Sequence, residues 1–235
     1  MNSKIPILMY HDISNSNAND TSVLIDKFIG QLKFMKSKNY ETITLNKLTN
    51  QDIKNKFIIT FDDGYENIYK LVLPELKRLN YVATCFFVTN SIGNFNTWDE
   101  KEINYKKKKI MNINQINEWL QSGNEIGSHT ADHLNLTKID NISLINQLTE
   151  SKTYFKKVFG IDVVSFSYPF GQFNDDVINN VKNNYKFAVT TRRSRYNKKK
   201  HDALAIPRIP INRNTSLFKF FLKIETIYED IKFRN

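Results

Sequence analysis

"IITFDDGYEN", residues 58 to 67, decides how this chain is read. Ile58, Ile59, Thr60 and Phe61 are β-branched or aromatic, the composition of a buried strand. Two carboxylates, Asp62 and Asp63, follow without a gap, and then Gly64. Turn chemistry accounts for one of them, since an aspartate bonds its own backbone and a glycine supplies a positive φ. A second aspartate at the same place asks for another explanation. Where parallel strands alternate with helices in a barrel, the chemistry sits on loops at the C-terminal ends of the strands, and this pair occupies such an end.

Working outward, short β-type runs alternate with longer stretches of helical period. "IPILMY" (5–10) reads as a strand, and "IDKFIGQLKFMKSKN" (25–39) sets Ile25, Phe28, Ile29, Leu32 and Met35 on one helix face. "KFIITF" (56–61) is the next strand, and helical "NIYKLVLPELKRLN" (67–80) contains Pro74, which marks a kink or a restart. "VATCFFV" (82–88) is a strand, a polar basic insertion runs through residue 109, and "NINQINEWLQSG" (112–123) is a helix closed by Gly123. "NEIGSH" (124–129) is a short strand, and "SLINQLTESKTYFKKVFG" (143–160) is a helix stopped by Gly160. "VVSFSYPF" (163–170), helical "DDVINNVKNN" (175–184), and the strands "KFAVTT" (186–191) and "LAIPRIPI" (204–211) complete the alternation. "SLFKFFLKIETIYEDI" (216–231) is expected to form one closing helix. About seven strands with intervening helices predict an α/β barrel. With no internal repeat or low-complexity linker, one domain over residues 1–235 is expected.

Composition sets the bounds. A chain of 235 residues with 40% hydrophobic and 13% aromatic content can bury one sizeable core. The lone Cys85 lies in an apolar run and packs as a small hydrophobe, so no disulfide framework is expected. The apolar stretch of "MNSKIPILMYHDI" (1–13) is too short for a secretory signal, and no run approaches the ~18 apolar residues of a membrane span. On that basis a soluble, cytoplasmic protein is expected. The net charge of +10 is concentrated in "YKKKKI" (105–110) and "RRSRYNKKKH" (192–201), and it raises the question of nucleic acid, acidic lipid or phosphorylated partners. No zinc-finger spacing, RNP-like aromatic motif or helix-turn-helix pattern accompanies these runs, which argues against nucleic acid. They are read as solvated loops.

"EIGSHTADHLN" (125–135) puts His129 and His133, two of the four histidines, directly after another strand. Two imidazoles four residues apart can converge on one metal ion. With one carboxylate they make a facial set that leaves a coordination position open, as a catalytic site requires. One aspartate of the pair would then ligate the metal, while its neighbour stays free to take a proton from the attacking water. Neighbours in a strand face opposite ways, so both reach one site only if the backbone twists there, which Gly64 permits.

"TFDDG" (60–64) and "SHTADH" (128–133) resemble the first two motifs of the polysaccharide deacetylase family, carbohydrate esterase family 4. "ATCFFVTNSIG" (83–93) is similar to the family's strand after the first helix. The resemblance implies a distorted (β/α)7-type TIM-like barrel and metal-dependent hydrolysis of the acetamide of an N-acetylated sugar, releasing acetate and a free amine. It implies that Asp62 is the general base and that Asp63, His129 and His133 bind the metal. "FSYPFGQFN" (166–174) resembles the third motif, in which the Phe170 peptide N–H helps to form the oxyanion hole and Tyr168 belongs to the substrate-binding segment.

Two departures matter. The family's third motif begins with an arginine where this chain has Ser167, and the late Leu-x-His motif is absent, leaving only His201. With "PILMYHDI" (6–13), these features bring the chain closer to the poly-N-acetylglucosamine deacetylases, which implies that His11 is the catalytic acid. Arg208, in "IPRIPI" (206–211), is the candidate to replace the missing arginine beside Asp62. The expected cofactor is a divalent metal, zinc first, with cobalt, nickel or iron as substitutes. The expected partner is an N-acetylated envelope glycan met at the inner membrane face. The basic, aromatic segment at Phe218, Lys219, Phe220, Phe221 and Lys223 is a candidate for peripheral contact with anionic lipid, or else an ordinary last helix packed on the barrel. Rival readings are a metal-dependent hydrolase of another bond, a non-catalytic glycan-binding relative and a basic interaction protein.

Overall fold

The computed structural model describes residues 4–16, 20–49, 52–101 and 105–233. Among them, runs rich in β-branched and aromatic residues form seven parallel strands: β1 (Ile7–Tyr10), β2 (Lys56–Phe61), β3 (Thr84–Phe87), β4 (Glu125–Ser128), β5 (Ser165–Ser167), β6 (Phe187–Arg193) and β7 (Ile206–Pro210). Each pairs with the next in the chain, and β1 also pairs with β7 through Leu8 and Ile209, which closes the barrel. The expected (β/α)7-type barrel is therefore the observed one.

Helices α1 (Ile25–Ser37), α2 (Leu73–Leu79), α3 (Ile113–Gln121), α4 (Asn141–Phe159) and α5 (Asp175–Asn184) fill the connections up to β6. Pro74 marks a restart: residues Ile68–Val72 wind as a wider π-type turn and α2 begins beside the proline, where a missing N–H removes no helical bond. α3 starts in a capping box between Asn112 and Gln115, and α4 starts on the Asp140 side chain and stops at Gly160, φ +70°. Between β6 and β7 the chain forms no helix. Tyr196–Asn197 pairs instead with Lys4–Ile5, below the N-terminal end of β1.

The period of two sorts each strand's side chains. Ile59 and Phe61 of β2 face outward into the large core beneath the helices, whereas Ile58 joins Ile7, Phe86, Val189 and Ile206 inside the barrel. Gly127 of β4 is required there, because a Cβ would stand 2.4 Å from the Phe86 ring. The same alternation carries inward-facing positions up to the C-terminal rim, where His11, Asp62 and His129 follow β1, β2 and β4.

The end of the chain differs from the expected single helix. α6 (Leu217–Glu225) and α7 (Tyr228–Lys232) are separated at Thr226, which is extended at φ −116° and ψ 175°. Its hydroxyl donates to the Leu222 carbonyl and accepts the Tyr228 N–H, an alternative to the helix ladder that threonine offers. The break also turns α7 so that the fully buried Glu229 meets Arg193 and Lys223, and Asp230 meets Arg195. The basic run at 192–201 is thus not a solvated loop throughout, because two of its arginines are committed to these ion pairs.

Candidate metal and catalytic site

Arg208 reaches inward from β7 with 1% exposure, among the most deeply buried side chains of the protein. Its Nη1 and Nη2 donate to the two Asp62 carboxylate oxygens at 2.8 and 2.7 Å, a bidentate pair. Nε donates to the Thr190 carbonyl at 3.0 Å, Nη1 to the Thr60 hydroxyl at 3.1 Å, and Nη2 to the Ser167 hydroxyl at 3.3 Å. Ser167, the position at which the family's motif carries arginine, therefore helps to seat the arginine that arrives from another strand. Burial pushes the Asp62 carboxyl up, but the charge and hydrogen bonds of Arg208, with His129 and His11, hold it well below the usual carboxylate range.

Asp63 turns out of the strand. It is itself left-handed at φ +71°, and Gly64 follows at φ +74°. The twist expected of the glycine alone is shared between the two residues, and the Gly64 N–H closes it on the Asp62 carbonyl at 2.9 Å. A Cβ at Gly64 would lie 2.3 Å from the Phe87 ring, so both the turn and the packing demand glycine. The result is that the two carboxylates leave the backbone in different directions.

His129 and His133 approach Asp63 from β4 and its loop, with each Nε2 at 3.6 Å from Asp63 Oδ1. Thr130, at φ +70°, accepts the His133 N–H on its hydroxyl at 2.9 Å and shapes this loop. His129 Nδ1 lies 2.7 Å from the Ser167 carbonyl, so Nδ1 carries the proton and the Nε2 lone pair faces Asp63. Burial holds His129 down at about 4, and burial with the neighbouring His129 also lowers His133. Both rings are in the neutral form that a metal ligand needs. Burial and the charge of Asp62 push Asp63 up to about 8, a push that a shared cation offsets. The three ligand atoms lie within 4.8 Å of one another, and two donors bound about 2.1 Å from one ion stand roughly 3–4 Å apart. The residues fit a divalent metal.

His11 follows β1 and faces the same centre, with Nε2 3.8 Å from Asp62 Oδ2 and its side chain 26% exposed. Burial lowers its pKa, Asp62 pulls it back up, and Arg208 and Lys108 lower it further. His201 lies elsewhere: its Nδ1 accepts the Asn197 N–H at 3.0 Å in the segment beneath the N-terminal end of the barrel. Phe170, left-handed at φ +58° and 53% exposed, has its ring 4.7 Å from that of His133. Tyr168 does not bring its side chain to the site as the third-motif resemblance implied. It is buried at 1% exposure, stacks on Phe173 and donates its hydroxyl to the Leu204 carbonyl at 2.9 Å.

The sequence reading missed two neighbours. Trp98 has its ring 5.0 Å from that of His133, and Lys108 pairs with buried Asp12, the residue after His11, at 2.7 Å. Trp98 sits in an insertion without periodicity, and Lys108 is one of four identical neighbours, so neither carried a local signal.

The profile of the polysaccharide deacetylase family matches residues 49–188, more than half of the chain and including Asp62, Asp63, His129, His133 and Phe170. The chain belongs to the polysaccharide deacetylase family. His11 and Arg208 lie outside the matched segment, which makes their convergence on Asp62 a finding of the geometry. Among the relatives of this chain, YxkH of Bacillus subtilis, which carries a polysaccharide deacetylase name, is 32% identical over 195 residues, 80% of this chain and 64% of its own length. The poly-beta-1,6-N-acetyl-D-glucosamine N-deacetylase of Staphylococcus aureus is 29% identical over 189 residues, 74% of this chain and 62% of that protein. The chain thus spans less than two thirds of these two relatives. The solved structure of the Streptococcus pyogenes deacetylase PplD in complex with acetate superposes with a TM-score of 0.80 at 27% identity, covering 94% of this chain and 98% of that one.

The metal set makes the first prediction. His129→Ala and His133→Ala are each expected to lower bound divalent metal from about one per chain to a small fraction, because one of three protein ligands is lost. Elemental analysis of the purified variants decides it, and unchanged occupancy in both would overturn the assignment.

Proposed function

We propose that this protein hydrolyses the acetamide of an N-acetylated sugar, releasing acetate and the free amine. The observation that carries the reading is the division of labour within the aspartate pair: Arg208 clamps Asp62 while Asp63 is grouped with His129 and His133. A structural metal site has no use for a second, separately held carboxylate. The names of the relatives, one of them a poly-β-1,6-N-acetyl-D-glucosamine N-deacetylase, support the same chemistry.

Asp63, His129 and His133 would hold the metal, zinc first and cobalt, nickel or iron as alternatives. When bound, such an ion supplies Lewis-acid polarisation of the carbonyl and acidifies water. Asp62 takes the proton from the attacking water, and Arg208 keeps it ionised and correctly aimed. The Phe170 peptide N–H donates to the oxygen on which charge develops. His11 gives a proton to the departing amine, which is otherwise a very poor leaving group. Its lowered pKa makes it a stronger acid once protonated, and Asp62, 3.8 Å away, stabilises the imidazolium and can hand on the proton it has taken.

The test is acetate release from N-acetylhexosamine oligomers with metal restored. His11→Ala is expected to lose about 10²–10⁴-fold in kcat with metal retained, the usual consequence of removing an acid, while His201→Ala stays near normal. No acetate from any N-acetylated sugar would refute the activity, and comparable losses in both variants would refute the assignment of the acid.

We also propose peripheral contact with an anionic membrane surface through the start of α6. Leu217 and Phe218 are 52% and 69% exposed beside the exposed Lys219, a basic and apolar combination suited to a lipid interface. Among the described residues no helix is long and apolar enough to cross a membrane. Salt-sensitive co-sedimentation with anionic liposomes, weakened by Phe218→Ser, is the expected result, and equal recovery with neutral liposomes would count against it.

A further inference from the structure

The two histidines of the metal set are held differently. His129 is oriented by a hydrogen bond, its Nδ1 donating to the Ser167 carbonyl at 2.7 Å, the arrangement that usually fixes the ring of a metal-ligating histidine. His133 has no counterpart: among the described residues nothing hydrogen-bonds its Nδ1, although that atom is buried. Buried polar atoms usually find a partner, so the orientation of this imidazole has to be set by other means.

The backbone beneath it is fixed. The His133 N–H donates to the Thr130 hydroxyl at 2.9 Å. The preceding residue is fastened to α4, where Gln147 Nε2 donates to the Asp132 carboxylate at 2.6 Å and the Asp132 N–H donates to Gln147 Oε1 at 2.9 Å. These bonds hold the main chain and leave the ring free to turn about its Cβ–Cγ bond. Aromatic rings pack around the imidazole instead. Those of His129 and Phe170 meet it edge-on, each at 4.7 Å, with interplanar angles of 69° and 64°. Trp98 lies closer to face to face, at 5.0 Å and 32°. Turning the imidazole would drive its edge into the indole face. His129 meets the ring only edge-on and Phe170 is more than half exposed, which leaves the indole as the surface that sets the ring's plane.

Trp98 is itself held in place. It sits in a single 3-10 turn, Thr97–Asp99, entered from the buried Asn96. The Asn96 N–H donates to the Lys108 carbonyl at 3.1 Å, and its Oδ1 accepts the Lys108 N–H at 2.6 Å. Resting on the deacetylase reading and its metal set, we propose that Trp98 is a positioning residue: its indole face fixes the plane of the His133 ring so that Nε2 meets the metal, the task that the Ser167 carbonyl performs for His129.

Zinc affinity, measured by competition with a chromogenic chelator, tests this without turnover. Trp98→Ala is expected to weaken zinc binding by about tenfold or more, the usual consequence of losing a partner that orients a metal ligand. Trp98→Leu keeps bulk at the position, and so guards against misfolding, but has no flat face; it is expected to weaken binding as well. Trp98→Phe restores a flat ring and is expected to bind within about threefold of the unaltered protein, well inside the usual loss. The metal-free variants are expected to melt at similar temperatures. Unchanged affinity in Trp98→Ala and Trp98→Leu, or a loss in Trp98→Phe as large as in Trp98→Ala, would overturn the proposal. A loss of affinity that simply follows the melting temperature would mark a purely structural role and overturn it too. The expected ranking of zinc affinities without acetate release from any N-acetylated sugar would instead refute the deacetylase reading and leave the role of Trp98 standing.

Discussion

The buried pair between Arg208 and Asp62 is the interaction on which the site depends. Taking a guanidinium and a carboxylate out of water is costly unless every donor finds an acceptor, and here Nε, Nη1 and Nη2 are all engaged. The acceptors come from β2, β5 and β6 and from the residue after β2, so one side chain from β7 ties four strands together at the catalytic rim. Losing one partner of such a pair strands a buried charge and costs about 3–5 kcal/mol. The same contacts serve function, because they keep Asp62 ionised, fix its orientation and leave its neighbour free for other work.

That neighbour is freed by backbone geometry. In a regular strand Asp63 would face outward, into the core beneath the helices. Its left-handed conformation, continued by Gly64, redirects it to His129 and His133. Non-glycine residues hold such conformations only where the surroundings over-determine them, and here the Phe87 ring against Gly64 and the Met111 N–H bonded to the Gly64 carbonyl do so. A single twist thus sends two adjacent aspartates to different partners, Asp62 to Arg208 and Asp63 to the two histidines, and the proposed roles of base and ligand rest on that separation.

Much of this was legible in local sequence. Strand alternation and helix period located the barrel elements because each is a property of neighbouring residues, and "DDG" with the two histidines announced the polar centre. Arg208 was reachable only by asking what could replace an absent arginine, since 146 positions separate it from Asp62. The features that stayed hidden depend on partners far apart in the chain. Glu229, beyond the break at Thr226, meets Arg193 across 36 positions, Lys108 finds Asp12 across 96 positions, and Trp98 meets His133 from an insertion with no period. Tyr168 misled for the complementary reason: its motif placed it near the centre, but strand alternation turned its ring into the wall.

The division of labour between the two aspartates is the central claim, and paired metal analysis and acetate-release assays on Asp62→Asn and Asp63→Asn test it most directly. Asp62→Asn is predicted to keep about one divalent metal per chain and lose turnover by about 10²–10⁴-fold, because an amide cannot take the proton from water. Asp63→Asn is predicted to lose the metal itself. An empty site in Asp62→Asn with a filled site in Asp63→Asn would contradict the account.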